Sequence, residues 1–132
     1  MKLPLIFIAL GLFASCSNPS KEIKVVQKDL KGKYSEVELK DFNYQSTELS
    51  DREAYRFIYA LYMKDVDKYR AFPDAVQVQL DKAKRFQDLQ ALAKGDSIFH
   101  KVTYAKLEQD TISSGVYILN VKDSIVYRRM FK

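Results

Sequence analysis

The run Asp96-Ser97-Ile98-Phe99-His100 holds the three residue types of a nucleophilic relay within five positions. A serine hydroxyl becomes a nucleophile when a histidine nitrogen lies about 3 Å away to take its proton. The surrounding residues read as extended chain, and side chains in a strand alternate faces, so Ser97 points away from Asp96 and His100. Three residues of strand also separate Ser97 from His100 by about 10 Å. The local relay fails on geometry.

His100 is the sole histidine and shares a predicted strand face with Ile98, Val102 and Tyr104. With no second His or Cys to share an ion, it reads as a hydrogen-bonded or half-exposed structural imidazole, and no metal ligand is assigned. The carboxylate pairs Glu36/Glu38 and Asp65/Asp67 lack the glycine and acidic spacing of a calcium loop and read as solvated surface. Four glycines supply no phosphate-cradling loop. No catalytic residue and no cofactor is expected. An enzyme would require His100 to meet a distant acid and a hydroxyl in one cleft.

The nine tyrosines are more suggestive. Tyr55, Tyr59 and Tyr62 recur at helical spacing, and Tyr104 lies in a predicted strand. Such rings bury well while their hydroxyls still reach water. They could line a groove for a small ligand, with Tyr55, Tyr59, Tyr62 and Tyr104 as its walls, or simply fill a core.

The lone cysteine has a particular setting. The chain opens MKLPLIFIALGLFASC, with Lys2, an apolar run from Leu5 to Ala14, and the small residues Ala14 and Ser15 before Cys16. That is the layout of a secretory signal over residues 1–15. Its apolar run of about ten residues is half the roughly 20 that a bilayer-spanning helix needs. The tetrad Phe13-Ala14-Ser15-Cys16 resembles the lipobox of bacterial lipoproteins, with Phe13 where leucine is commonest. The resemblance implies that Cys16 becomes the lipid-modified first residue of the mature chain. It also implies a protein held at the periplasmic face or cell surface, where Ser17 after the cysteine resembles the outer-membrane pattern. More than one acyl chain gives stable attachment. No thiol then remains for a disulfide or a cysteine-ligated metal, so stability must come from the core.

Loss of residues 1–15 removes only Lys2 from the 22 basic residues, leaving an excess of four over the 17 acidic ones. What remains fits one domain of ordinary size. Lys21, Lys24, Lys28, Lys31 and Lys33 concentrate the charge next to the anchor. Residues 16–33 therefore read as a lipidated N-terminus and solvated tether, whose lysines could also lie along anionic headgroups. Export and the lack of a recognisable motif argue against nucleic acid as a partner.

Residues 34–132 carry the domain. Residues 35–45 alternate at Val37 and Leu39 before Phe42 and Tyr44, a predicted strand. Ser50 and Glu53 form a capping box opening an amphipathic helix with Tyr55, Tyr59, Tyr62 and Val66 on one stripe. Pro73 ends that helix near Phe72 and starts a second, carrying Val76, Leu80, Ala83 and Phe86, which closes at Lys94-Gly95. The period then shifts to two over 97–108, 115–121 and 124–131, whose short links require an antiparallel meander.

The expected fold is α+β, two amphipathic helices packed on the greasy face of an antiparallel three- to four-stranded sheet. Its element order resembles the cystatin-like and NTF2-like groups, which implies a domain that often carries a pocket. The expected function is a non-enzymatic interaction or binding module at the envelope. Its partner would be another envelope protein or a small ligand, with the membrane engaged through Cys16.

Overall fold

A computed structural model describes residues 19–131 of the chain. The signal segment and Cys16 lie outside the described residues. Four helices and four strands follow in the order α1 (Lys21–Leu30), α2 (Glu36–Lys40), β1 (Asn43–Ser50), α3 (Asp51–Lys68), α4 (Pro73–Leu92), β2 (Ile98–Glu108), β3 (Thr111–Leu119) and β4 (Ile125–Phe131). The strands form one antiparallel sheet in the order β1-β2-β3-β4. The α+β class and the meander are as the sequence indicates. No described helix is long and apolar enough to cross a membrane.

The local signals at the helical hairpin act as expected. Ser50 is at once the last residue of β1 and the N-cap of α3, its hydroxyl accepting from the Glu53 N–H while the Glu53 carboxylate accepts from the Ser50 N–H. Strand therefore passes into helix without a loop. Pro73 occupies the first turn of α4, where its missing N–H leaves no bond unmade. Two turns close the meander. Gln109 (φ 36°) sits between β2 and β3, and Asp123 (φ 57°) between β3 and β4. In the second turn the Asn120 carboxamide accepts from the Lys122 and Ser124 N–H groups and fixes the reversal.

Three sequence expectations are corrected. Residues 21–30 are not a tether but a helix whose inner face is core: Val26 is 0% exposed and Leu30 3%. The folded unit thus includes residues 21–30. Residues 36–40, expected as a strand, form α2, because Ser35 and Glu38 make a second capping box; Val37 is accordingly 73% exposed instead of sheet-buried. The third correction concerns the sheet, which buries both faces and not one.

On one face Phe99, Val116, Ile118 and Tyr127 pack against Ala54, Ile58, Leu61 and Phe86 of the α3–α4 hairpin. On the other Val102, Tyr104, Tyr117 and Leu119 pack against Val26 and Leu30 of α1, with Leu39 and Phe42. The architecture is three layers, with the sheet in the middle. Arg129 of β4 locks the hairpin side by a two-pronged bond to Asp65 of α3, 2.6 Å and 2.7 Å, in a setting where both side chains are largely buried.

Candidate functional site

The face of the sheet beneath α1 carries two clusters of polar side chains, one at each end of the helix. α1 is amphipathic in the simplest sense: Val26 and Leu30 point inward, flanked by half-buried Ile23 and Val25. Lys21, Lys24, Lys28 and Lys31, spaced i, i+3, i+7 and i+10, are all exposed. At 100° per residue these four fall within a quarter-turn of one another, opposite the buried stripe. Lys33 lies just beyond, its Nζ 3.3 Å from the Met130 Sδ.

At the C-terminal end of α1 the Asp29 carboxylate joins helix to sheet. The Tyr117 hydroxyl donates to it at 2.5 Å and Arg128 at 2.7 Å. The Tyr117 bond, opposed by burial and aided by Arg128, holds Asp29 below the ordinary carboxylate range. Burial, then the bond to Asp29, pushes the Tyr117 phenol far upward. Beside this junction is a cavity of about 510 Å3, lined by Leu30, Lys33, Tyr104, Tyr117, Arg128 and Met130 among others. Tyr104 is 2% exposed, and no protein group pairs with its hydroxyl. Burial raises its pKa to about 12.

At the N-terminal end of α1, Glu22, His100 of β2 and Asp123 of the β3–β4 turn converge, with donor atoms all within 4.8 Å of one another and each residue half-buried. The Ser46 hydroxyl donates to Glu22 at 2.9 Å. Burial opposes the Glu22 carboxylate, but hydrogen bonding, with Ser46 as the side-chain donor, prevails and lowers its pKa. The His100 Nδ1 is buried without a partner. A hydroxyl, an acid and the imidazole are thus near one another, but Ser46 bonds to Glu22. The serine–base hydrogen bond of nucleophilic catalysis is not the bond this cluster makes.

The four tyrosines do not wall one groove. Tyr55 meets Phe99 edge-on at 5.3 Å, and Tyr62 stacks on Phe86 at 5.7 Å and meets Tyr127 at 5.3 Å. With Tyr59 they pack against the hairpin-side core, whereas Tyr104 belongs to the core under α1. The sheet itself stands between the two sets. Of the four, Tyr104 alone lines the cavity beside α1.

Sequence reasoning missed Glu22, Asp29, Tyr117, Arg128 and Asp123. Glu22 and Asp29 were hidden by the assignment of 16–33 to a tether, although Ile23, Val26 and Leu30 carry a helical spacing. Asp123 stood in a recognised turn, but which residues a turn approaches depends on packing far away in the chain. No protein-family model matches the chain, and no curated protein or solved structure matches it either.

Proposed function

We propose that this protein is a lipid-anchored, non-enzymatic binding module of the bacterial cell envelope, and that α1 holds the domain against anionic headgroups. One observation carries the reading: Lys21, Lys24, Lys28 and Lys31 form one exposed stripe on a helix that begins five residues after Cys16. Five residues reach at most about 17 Å. An anchor at Cys16 keeps the stripe beside the bilayer, where each lysine contributes about 1 kcal/mol of attraction. Ser17 supports the outer membrane as the destination.

Two measurements test this. Metabolic labelling with a fatty acid marks the wild type and not Cys16→Ala; equal labelling of both overturns the anchor. Residues 17–132, which contain every described element, sediment with vesicles containing phosphatidylglycerol and not with phosphatidylcholine alone. Replacement of the four lysines by glutamine abolishes this difference, and failure to do so removes the role of the stripe.

The cavity beside Tyr104 favours a second reading, in which the module binds a small ligand there. Chemical shifts of Leu30, Tyr104 and Tyr117 that respond to compounds in a fragment panel support it. An unresponsive cavity counts against it.

A further inference from the structure

We infer that Glu22, His100 and Asp123 form a binding site for one divalent transition-metal ion of the zinc class. The three come from separate elements: the first turn of α1, strand β2 and the β3–β4 turn. Nothing in local sequence requires them to meet, yet their donor atoms lie within 4.8 Å of one another. Atoms held at about 2.0–2.2 Å from one ion lie at most about 4.4 Å apart, so small side-chain rotations bring the three donors onto a shared ion.

The chemistry of the set selects the class of ion. One imidazole with two carboxylates is too nitrogen-rich for the all-oxygen shells of calcium and magnesium and contains no thiolate for copper(I) or iron–sulfur clusters. Imidazole and carboxylate together suit zinc and its first-row neighbours. The surroundings are prepared for the role. Glu22 is oriented, because the Ser46 hydroxyl donates to it at 2.9 Å. The His100 Nδ1 is buried and has no hydrogen-bond partner, an arrangement that leaves an inner nitrogen uncompensated unless something binds it. Among the described residues no ion pair joins His100 to either acid.

An ion held here would tie the start of α1, the end nearest Cys16, to the middle strands and the turn. It would act as a staple between the membrane-facing helix and the sheet. Three protein ligands leave a coordination position for water or for a group from a partner.

The test uses the full chain in detergent micelles with Cys16→Ser, so that no thiol competes for zinc. Calorimetric titration with zinc chloride gives one saturable equivalent. Zinc at about a hundredfold excess over Kd raises the unfolding temperature by on the order of 10 °C. His100→Gln and Asp123→Asn each weaken binding by at least about tenfold. Asp123→Asn guards against misfolding, since asparagine tolerates the positive φ of that turn, and circular dichroism checks both variants. Non-saturable uptake, or equal affinity in the parent and a folded Asp123→Asn chain, overturns the inference.

Discussion

The Tyr117 hydroxyl lies 2.5 Å from the Asp29 carboxylate, and this bond joins the central strand β3 to α1 across 88 positions of sequence. Arg128 reaches the same oxygen at 2.7 Å, but its side chain is 64% exposed, against 26% for Asp29. Water screens the arginine more than the tyrosine, so the phenol is the stronger tie.

Asp29→Asn therefore costs more than Arg128→Ala. A hydrogen bond to a charged group contributes about 1.5–3 kcal/mol, and the exposed ion pair about 0–1 kcal/mol. Because the folded state depresses the Asp29 pKa, its stabilisation is complete above the unfolded value near 4. It is lost as pH falls through the lower folded value. Urea unfolding of the wild type below about pH 4 shows this loss, and Asp29→Asn shows less of it. Parallel acid profiles would mean that other carboxylates dominate.

Tyr104 stands directly opposite Gly115 in the β2–β3 register, and a Cβ at 115 would overlap its ring and hydroxyl. Gly115→Ala therefore destabilises by about 1–3 kcal/mol through overpacking. Combined with Tyr104→Ala, which opens room at the same place, it costs clearly less than the sum of the two. Tyr104→Phe behaves differently. Its buried hydroxyl has no protein partner, so removing it at pH 7 is neutral or stabilising. A double-mutant cycle by denaturant unfolding measures all three, and additive costs would contradict the overlap.

High pH attacks both faces of the sheet. Burial raises Tyr104 from 10.0 to about 12 and Tyr117 further, and it also raises Tyr44, Tyr55, Tyr62 and Tyr127. A raised phenol keeps its proton in the folded chain after the unfolded chain has released its own. Its stabilising effect is whole below pH 10 and is lost as pH climbs towards the folded value. Each such phenol removes about 1.4 kcal/mol per pH unit in that window. Stability between pH 10 and 12 falls steeply, and Tyr104→Phe makes the fall shallower. The part of the phenolate absorbance that Tyr104→Phe removes rises together with unfolding and not before it.

Much of the hairpin side was legible because its signals are local. Ser50 with Glu53, Pro73 and the tyrosine stripe each act within one or two helical turns. The α1 side was obscured by competing signals of equal strength. Ser35-x-x-Glu38 is the same capping pattern as Ser50-x-x-Glu53, yet Val37 and Leu39 also alternate like a strand. Lysines in residues 21–33 suggested a solvated tether and concealed Ile23, Val26 and Leu30. The missing clue lay in β3, where Gly115 to Leu119 are five consecutive buried residues. An uninterrupted apolar run marks a strand covered on both faces. That in turn requires a second helical layer, and residues 21–30 were the segment left to supply it. The Glu22–His100–Asp123 cluster was not legible, since its members meet only once that layer is in position.

The sharpest division between a tether and a layer falls on neighbouring positions of α1. Leu30 is buried at 3% exposure, so Leu30→Ala removes packed methyl groups and costs about 2–5 kcal/mol. Lys28, two residues earlier, is exposed, and Lys28→Ala stays within about 0.5 kcal/mol. Were residues 21–30 a tether, both substitutions would be silent. Urea midpoints at fixed slope distinguish the two cases. The difference matters for the proposed orientation. A helix that contributes Val26 and Leu30 to the core cannot turn its lysines to a surface without turning the whole domain with them. A vesicle that engages the stripe therefore fixes which face of the sheet looks away from the membrane, and it leaves the α3–α4 hairpin as the outermost layer, open to a partner.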